Sequence, residues 1–237
     1  MKGVILAGGK GTRLRPATLV INKHLIPILN RPMILYPLET LKRLGVLDVV
    51  VVTGGEHIGA FAEFLGDGSD FGMEITYRVQ TEAGGIAQAL GLVRGHVGQN
   101  EHVCVILGDN IFDDSVNKSI LEEIGETTAQ LFTKSVDDPE RFGVLGSDNK
   151  IIEKPAEPTS NKAITGLYIY PKNVFDFIEN LRPSDRGELE ITDINNQYLK
   201  EQKAVVTDLG SSFWSDAGTP ESLARTTEWV LNLSQNH

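Results

Sequence analysis

The chain has 237 residues, of which 41% are hydrophobic and 23% are charged, the balance of a soluble globular protein. Its 22 Lys and Arg residues stand against 32 Asp and Glu residues, and the net charge of −10 argues against nucleic acid as a partner. No apolar stretch approaches the length of a membrane span, and the apolar run at the N-terminus is too short for a signal peptide. The single cysteine, Cys104, lies in an apolar run, so we expect a reduced, cytoplasmic protein with no membrane partner.

The first half of the chain alternates short apolar runs with amphipathic segments. The runs are residues 4–6, 49–52 and 103–107. They are apolar at nearly every position, as in strands buried on both faces of a parallel sheet. Apolar residues recur at helical spacing in the segments Ile34-Leu38-Leu41, Ile58-Ala62-Leu65 and Ile86-Leu90-Val93, with Gly45 suited to a helix exit. This alternation predicts a β-α-β-α-β-α-β order and a doubly wound α/β sheet.

The second half has a less regular pattern. It predicts strands over 129–135 and 163–170, a hairpin of 142–146 with 150–154 that turns at Asp148 and Asn149, and helices over 174–181, 190–199 and 220–233. Thr219 and Pro220 are suited to the cap and first turn of the last helix. We expect one continuous fold over residues 1–237, in which the later strands extend the sheet and a small lid packs beside it.

The first strand runs directly into a glycine-rich loop, Gly-Gly-Lys-Gly-Thr-Arg at residues 8–13. Glycine lets backbone N–H groups approach an anion closely, and a helix dipole would assist if a helix follows. The loop matches neither the dinucleotide fingerprint, because residue 14 is Leu, nor the P-loop pattern. A tight turn without a ligand therefore stays open. Arg13, at the end of the loop, supplies a guanidinium fork suited to phosphate oxygens.

Two aspartates stand where a strand or turn ends. Asp109 follows the run 103–107, and the carboxyl ends of parallel strands face the crevice in which α/β sheets bind ligands. A carboxylate there would suit Mg²⁺, which is held by one or two carboxylates together with phosphates. Asp216 lies in the segment Trp-Ser-Asp-Ala-Gly at residues 214–218. Taken singly, each aspartate is equally consistent with a turn or a helix cap.

Many segments together resemble the sugar-1-phosphate nucleotidylyltransferases. They are LAGGKGTRLRP, INKHLIPI, RPMILYPL, YRVQTEAGGIAQAL, ILGDNIF, DDPERFGV, EKPAEP, TGLYIY, RGELEITDIN and WSDAGT, in the family's order over nearly the whole chain. The resemblance is strongest to members that use dTTP and glucose 1-phosphate. It implies a Rossmann-like, mixed and mainly parallel sheet with a small sugar-binding lid, in which residues 1–110 mainly bind the nucleotide and 111–237 mainly bind the sugar phosphate.

The resemblance also implies the site residues. The catalytic residues would be Arg13, Lys23, Asp109, Lys154 and Asp216, with Mg²⁺ on Asp109 and Asp216. The nucleotide would contact Leu6, Ala7, Gly8, Gly9, Gly11, Thr12, Arg13, Lys23, Gln80, Gly85 and Asp109. The sugar phosphate would contact Asn110, Gly143, Glu153, Lys154, Ile164 and Thr165. The amide of Gln80 matches a pyrimidine edge with both a donor and an acceptor, and Gly85 would leave room for the base and offer it an N–H.

These roles imply transfer of a thymidylyl group from dTTP to glucose 1-phosphate, which gives dTDP-glucose for deoxysugar or polysaccharide synthesis and releases pyrophosphate. A UTP-dependent enzyme, or one acting on another hexose 1-phosphate, fits the same residues. A non-catalytic nucleotide-sugar sensor is disfavoured because Arg13, Lys23, Asp109, Lys154 and Asp216 are all present. A dinucleotide-dependent oxidoreductase is disfavoured by the broken glycine fingerprint. The resemblance further implies a homo-oligomer.

Other polar and aromatic residues are expected to have structural roles. Glu188, Glu190 and Asp193 precede or begin a helical pattern, where acids favour the helix dipole. His24 is expected to shape the loop beside Lys23 without transferring a proton, and Trp214 to pack beside Asp216. Phe142 stands where bacterial members often carry Tyr, so a hydroxyl contact is lost. The sequence stops soon after residue 233, and we expect a short form without the helical extension that helps to build the regulatory site of longer members.

Overall fold

The computed structural model describes residues 1–121 and 125–235. Its strands are β1 Lys2–Ala7, β2 Pro27–Ile28, β3 Arg31–Pro32, β4 Asp48–Gly54, β5 Glu74–Gln80, β6 Val103–Leu107, β7 Asn110–Phe112, β8 Ala129–Ser135, β9 Gly143–Leu145, β10 Ile151–Glu153, β11 Lys162–Tyr170, β12 Ala204–Asp208 and β13 Trp214–Asp216. Its α-helices are α1 Leu35–Arg43, α2 Ile58–Leu65, α3 Ile86–Gly91, α4 Val174–Asn180, α5 Ile191–Lys200 and α6 Pro220–Gln235. Within these two ranges, no helix combines the length and apolar character needed to cross a membrane.

A mixed sheet forms the centre of the fold and confirms the predicted α/β class. Strands β6, β1, β4 and β5 lie side by side and parallel, in that order. From the second half, β11 pairs antiparallel with β6, placing Leu167 opposite Ile106. Strand β8 pairs antiparallel with β11 and parallel with β12, and β9 joins the hairpin partner β10 to β11. The later strands therefore extend the first-half sheet, as the sequence predicts.

The two faces of the sheet explain why its central strands are apolar at every position. Successive side chains of a strand point to opposite faces. Val4 on β1 packs into the cluster that holds α3, α4 and α5, and its neighbour Ile5 packs into the cluster that holds α1 and α2. Cys104 on β6 is completely buried, and burial raises the pKa of its thiol to about 12. Helices cover both faces, so neither set of side chains reaches water.

Three local signals in the sequence end or begin elements as predicted. Gly45 follows α1 with a φ of +79°. The β9–β10 hairpin turns through Asn149, whose φ is +60°. At the start of α6, the Ser222 N–H donates to Thr219 Oγ1 at 3.2 Å, and the Thr219 N–H donates to Ser222 Oγ at 3.1 Å. The cap on Thr219 is therefore confirmed.

Three features near the glycine loop and Asp109 differ from or add to the sequence prediction. The loop leads into a single 3₁₀ turn, Thr12–Leu14, so no α-helix dipole follows it. Two more 3₁₀ turns, Ala17–Leu19 and Lys23–Leu25, follow it and precede a two-stranded hairpin of β2 and β3. Strand β7 pairs antiparallel with β13, and this pairing places Asp216 opposite Asn110. It is this small sheet that brings the C-terminal part of the chain to the end of β6.

Candidate active site

A cleft of about 380 Å³ opens at the carboxyl ends of β1 and β6. We call the side formed by Leu6, Gly8, Gly9, Arg13, Lys23 and Asp109 the strand wall. The opposite side, formed by the β9–β10 hairpin and residues 186–192, is the hairpin wall. The cleft is lined by five cationic residues, which are Arg13, Lys23, Arg141, Lys154 and Arg186. It is also lined by five acidic residues, which are Asp109, Glu153, Glu188, Glu190 and Asp216. The cleft is therefore electrically balanced, although the chain as a whole carries a charge of −10.

The glycine loop of the strand wall has a conformation that requires glycine. Gly9 and Gly11 have φ values of +90° and +56°. A Cβ on Gly11 would lie 2.9 Å from Thr18 Cγ2 and 3.0 Å from Lys23 Cβ, so Gly11 faces the protein. The Thr18 hydroxyl donates to the Gly11 carbonyl at 2.7 Å. Thr18 thus holds the loop from behind, while Gly8 and Gly9 face the cleft.

Lys23 and Asp109 form an ion pair in the strand wall. Burial acts to raise the pKa of Asp109, but the neighbouring ammonium of Lys23 holds it below its ordinary value. Burial and the charge of Lys23 lower the pKa of His24 to about 3, so its imidazole is neutral near pH 7. The His24 Nδ1 lies 2.9 Å from Asn22 Oδ1, and a Cβ on Gly108 would lie 2.7 Å from His24 Cδ2. His24 therefore lines the cleft as a buried, neutral imidazole held between Asn22 and Gly108.

Asp216 joins Asp109 through the β7–β13 pairing. The Ala217 N–H donates to the Asp109 carbonyl at 2.8 Å, and the Gly218 N–H donates to Asp216 Oδ1 at 2.9 Å. A Cβ on Gly218 would lie 2.7 Å from Asp216 Oδ1, 3.2 Å from Asp109 Oδ2 and 3.3 Å from Arg13 Nη2. Burial and the charge of Asp109 raise the pKa of Asp216. Two carboxylates and one guanidinium therefore converge on a single point.

The oxygen donors of Asp109 and Asp216 suit a hard divalent cation. Within residues 1–121 and 125–235, no group of three or more His, Cys, Asp and Glu side chains is arranged to enclose a metal. Two carboxylates fit Mg²⁺, which keeps waters and takes its remaining ligands from phosphates. Burial, and after it the charge of Asp109, raise the pKa of Asp216, and a nearby cation would relieve the repulsion between the two carboxylates.

The hairpin wall carries Glu153 and Lys154 at the end of β10. Lys154 has a φ of +44°, and its N–H donates to the Phe142 carbonyl at 2.9 Å. Such a conformation is costly outside glycine and concentrates at functional sites. The Thr192 hydroxyl donates to Glu153 Oε2 at 2.6 Å, and Lys154 Nζ lies 3.5 Å from Glu153 Oε1. Arg186 lies 3.8 Å from the same oxygen, so Glu153 is held between two cations.

Gln80 and Gly85 also line the cleft, Gln80 beside Gly8 of the strand wall and Gly85 beside Leu189 of the hairpin wall. The Gln80 Nε2 donates to Gln88 Oε1 at 2.6 Å, which orients the amide. A Cβ on Gly8 would lie 2.5 Å from Gln80 Oε1, so the glycine allows the amide to reach the loop. Gly85 has a φ of +99°, and its Cβ would lie 2.5 Å from the Leu189 carbonyl. Glycine is therefore required at position 85 by the backbone of Leu189, and the role of Gly85 in leaving room for a base stays a prediction.

Most of the predicted site residues line this one cleft. They are Leu6, Gly8, Gly9, Arg13, Lys23, Gln80, Gly85, Asp109, Asn110, Gly143, Glu153, Lys154, Ile164 and Asp216. Four predicted residues do not line it: Ala7, Gly11, Thr12 and Thr165. Ala7 and Thr165 are completely buried, the latter between Ile164 and Gly166, which do line the cleft. The alternation of side chains along β1 and β11 explains the positions of Ala7 and Thr165, and the contact with Thr18 explains that of Gly11; their contacts with a substrate stay predictions.

Several lining residues were absent from the sequence prediction or were given another role. They include Arg141, Tyr168, Arg186, Glu188, Glu190, Thr192, Asn195 and Trp214. Glu190 precedes α5 but makes no side-chain capping bond; it lies 3.2 Å from Arg186 instead. Glu188 also binds Arg186, at 2.7 Å, so the expected helix-terminal role of these two acids is replaced by an ionic cluster at the cleft. The segment RGELEITD, which the resemblance already singles out, contains the signal that could have found Arg186, Glu188, Glu190 and Thr192.

Trp214 and Asn110 connect the two walls. The Trp214 ring packs against Phe142, with 5.1 Å between ring centres. Phe142 is the residue that stands where bacterial members often carry Tyr. The Trp214 Nε1 donates to Asn110 Oδ1 at 2.7 Å, an oxygen that also accepts from the Gly166 N–H at 2.8 Å. The Asn110 Nδ2 in turn donates to Asp109 Oδ1 at 3.1 Å. The predicted packing role of Trp214 therefore includes the orientation of Asn110.

Known proteins resemble the chain over nearly its whole length. The sequence profile described as nucleotidyl transferase matches residues 2–232. A Neisseria gonorrhoeae protein named glucose-1-phosphate thymidylyltransferase is 45% identical over 98% of this chain and 83% of its own length. A Xanthomonas campestris protein of the same name is 41% identical over 98% of this chain and 81% of its own length.

Solved structures show the same fold. A crystal structure of a candidate glucose-1-phosphate thymidylyltransferase from Bacillus anthracis, in complex with sucrose, is 50% identical, covers 97% of this chain and 94% of its own, and superposes with a TM-score of 0.90. A UDP-glucose pyrophosphorylase complexed with UDP-glucose shares the fold at 21% identity and a TM-score of 0.81, covering 98% of each chain. Cleft, sequence profile and relatives agree: the chain belongs to the nucleotidyl transferase family.

Proposed function

We propose that the chain transfers a thymidylyl group from dTTP to glucose 1-phosphate and so forms dTDP-glucose and pyrophosphate. The observation that carries this proposal is the convergence of Arg13, Asp109 and Asp216 around one point, across the cleft from Glu153 and Lys154. The names of the Neisseria and Xanthomonas relatives support the choice of both substrates.

In the proposed reaction, a phosphate oxygen of glucose 1-phosphate attacks the α-phosphorus of dTTP. The new bond forms as the bond from the α-phosphorus to the oxygen of the β-phosphate breaks, and pyrophosphate leaves with that oxygen. The attacking phosphate is already ionised, so the reaction needs no side chain to remove a proton. Catalysis is then a matter of positioning and charge neutralisation. The buried, neutral His24 agrees with this requirement.

On the strand wall, Arg13 and Lys23 would neutralise the phosphates of dTTP. Arg13 Nη2 lies 3.3 Å from the point shared with both aspartates, where a fork of N–H donors can meet charge on the α-phosphate. Gly8 and Gly9 line the same wall and let the phosphate chain approach the backbone closely. Lys23 forms its ion pair with Asp109, so cation and acid would both lie against the nucleotide.

Asp109 and Asp216 would hold the Mg²⁺ ion that this chemistry uses. When bound, Mg²⁺ neutralises phosphate charge and stabilises the departing pyrophosphate. Asp109 and Asp216 supply oxygen ligands from two different strand ends.

The hairpin wall would bind the sugar phosphate. Lys154 Nζ would hold its phosphate, and Arg186 adds a second cation 3.8 Å from Glu153 Oε1. The carboxylate of Glu153 would accept hydrogen bonds from sugar hydroxyls, with Asn110, Gly143 and Ile164 beside it. The Asn110 Oδ1 already accepts two hydrogen bonds within the protein and one amide N–H donates to Asp109, so Asn110 would present its second amide N–H to the sugar.

Gln80 would bind the pyrimidine. Gln88 orients its amide, and the apolar residues Leu6, Ala83 and Ile86 line the cleft nearby. Thymine and uracil share a hydrogen-bonding edge and differ by one methyl group, which is worth about 1–3 kcal/mol in an apolar pocket. The preference for dTTP over UTP is therefore expected to be one of degree.

A matrix of dTTP, UTP and other nucleoside triphosphates against several hexose 1-phosphates, with Mg²⁺, tests the proposal directly. The masses of the products and the release of pyrophosphate identify the reaction. We expect dTTP with glucose 1-phosphate to give the highest kcat/KM. A higher kcat/KM with UTP, or with another sugar phosphate, would identify a different substrate. If no pair gave a product, the result would favour a non-catalytic sensor.

We also propose a homo-oligomer, in a cytoplasmic setting, that supplies dTDP-glucose to deoxysugar or glycan synthesis. A Haloferax volcanii relative that is 40% identical over 98% of this chain is named a low-salt glycan biosynthesis nucleotidyltransferase, which supports the last point. Light scattering measures the oligomeric state, and a monomer at the concentration of the activity assay would contradict it.

A further inference from the structure

Arg141 lies between two cavities and was not predicted from the sequence. It ends the 3₁₀ turn Pro139–Arg141, directly before Phe142 and β9. Its side chain lines the main cleft and also a second cavity of about 220 Å³ on the other side of Trp214 and Asp216. The guanidinium therefore stands at the boundary of the cleft, next to a proposed metal ligand.

Two contacts fix the guanidinium in this place. Its Nη1 donates to Asp138 Oδ2 at 2.5 Å, and its central carbon lies 5.1 Å from the centre of the Phe142 ring. That ring packs in turn on Trp214. The Arg141 side chain is 23% exposed, so it is held by protein groups rather than extended into water.

One nitrogen of this fixed guanidinium lacks a hydrogen-bond acceptor. Within the described part of the chain, Nη2 is buried and makes no hydrogen bond. Asp216 Oδ2 lies 3.6 Å from it, close enough for an ion pair but beyond hydrogen-bonding distance. Arginine stays charged in proteins, and a buried N–H donor without an acceptor is energetically costly. The missing acceptor points to an anion that comes from outside the chain.

The neighbours of Arg141 suggest which anion. On one side lies Asp216; on the other, the Phe142 carbonyl accepts from the N–H of Lys154, the residue proposed to bind the sugar phosphate. An oxyanion held by Arg141 would thus lie between the metal ligand and the sugar-phosphate lysine. Resting on the proposed function, we infer that Arg141 binds a phosphate oxygen of a substrate and is a further catalytic residue.

Calorimetric titrations with glucose 1-phosphate and, separately, with inorganic pyrophosphate test this inference without turnover. Arg141→Gln removes the charge, Arg141→Lys keeps the charge but removes the fork, and Arg225→Gln is the control, because Arg225 lines only the second cavity. We expect Arg141→Gln to weaken at least one ligand tenfold or more, Arg141→Lys to weaken it about threefold, and the control to bind both normally. The ligand that is weakened identifies the phosphate contacted.

Wild-type affinity of folded Arg141→Gln for both ligands would overturn the inference, as would binding of neither ligand by the wild-type protein. Circular dichroism and the Tm establish folding. If Arg141→Gln does not fold, Arg141→Lys decides, and unchanged affinity for both ligands overturns the inference. A failure of this inference is distinguishable from a failure of the proposed function, which the substrate matrix reveals as the absence of dTDP-glucose with the wild-type protein.

Discussion

The charged side chains of the two walls of the cleft differ in their exposure to solvent. In the strand wall, the side chains of Lys23 and Asp109 are 15% and 10% exposed and form an ion pair at the end of buried parallel strands. In the hairpin wall, the side chains of Lys154 and Arg186 are 48% and 41% exposed and share the carboxylate of Glu153. Water and salt screen exposed charges far more than buried ones.

This difference indicates that the two walls have different roles. The buried groups of the strand wall are held by the core of the sheet, so changes there are expected to alter catalysis or folding. The hairpin wall is a polar network on a short hairpin and a loop, so changes there are expected to alter the binding of one substrate. Five predictions test this contrast, from the largest expected effect to the smallest.

Arg13→Ala is expected to have the largest effect. Removal of a preorganised donor at the developing phosphate charge is expected to lower kcat by about 10²–10³. The Tm is expected to stay within error, because the Arg13 side chain is exposed and packs little. Steady-state kinetics and thermal unfolding measure both.

Arg15→Ala is the matched control for Arg13, since Arg15 is exposed and lies outside the cleft lining. Near-normal turnover of Arg13→Ala, or an equal loss in Arg15→Ala, would contradict the role of Arg13. Asp109→Asn is expected to lower kcat similarly but also to lower the Tm, because it leaves Lys23 without its acid in the strand wall.

Lys154→Gln is expected to raise the KM for glucose 1-phosphate tenfold to a hundredfold. Hydrogen bonds to charged groups contribute about 1.5–3 kcal/mol, which corresponds to that range. The KM for dTTP and the Tm are expected to change little, because Lys154 is half-exposed on the hairpin wall. Lys150→Gln, an exposed residue in the hairpin turn, serves as the control. Equal increases in KM for both substrates would argue against separate walls.

His24→Gln is expected to reduce the loss of stability in acid. The pKa of His24 is about 3 in the folded chain and near 6.5 when unfolded, so the unfolded state binds the proton more readily. The contribution of neutral His24 to the free energy of unfolding is therefore complete above about pH 6.5. It is lost as the pH falls toward 3, and the loss reaches about 3 kcal/mol by pH 4. Urea unfolding from pH 4 to 7 measures this, with His102→Gln as the control. A variant with the same pH dependence as the wild-type protein would refute the assignment.

Thr18→Val is expected to have the smallest effect. It removes the hydrogen bond from Thr18 to the Gly11 carbonyl while preserving the shape of the side chain. A bond of this kind contributes about 1 kcal/mol, so the KM for dTTP is expected to rise several-fold with little change in kcat. Thr18→Ser is expected to restore the wild-type value; if it does not, the hydroxyl is not what positions the loop.

Much of the fold could be predicted because its main signals are local. Runs such as residues 103–107 are apolar at every position only when both faces of a strand are covered, and the strand–helix alternation then implies a parallel sheet. The β2–β3 hairpin and the pairing of β7 with β13 were not predicted, since strands of two or three residues leave no periodic pattern. Ala7 and Thr165 were assigned to the site by the family resemblance, but their side chains are completely buried.

The site could be predicted in part for the same reason. The glycine loop and Asp109 follow the adjacent parallel strands β1 and β6, whose ends must lie together. Arg141 has no such signal, because an arginine after Pro139 and Glu140 has the composition of an ordinary surface turn. Only the pairing of β13 with β7 places Asp216 beside it.

The amino-acid sequence by itself determined the parallel strands, the glycine loop and the family, because each depends on residues close together along the chain or on motifs in a characteristic order. The tertiary structure decided which side chains face the cleft, why Gly85 must be glycine, and how two aspartates more than a hundred residues apart share one point with Arg13. The physical reason is that strand pairing and side-chain alternation act between distant segments. Burial then sets the charge of each group from neighbours that no local pattern reveals.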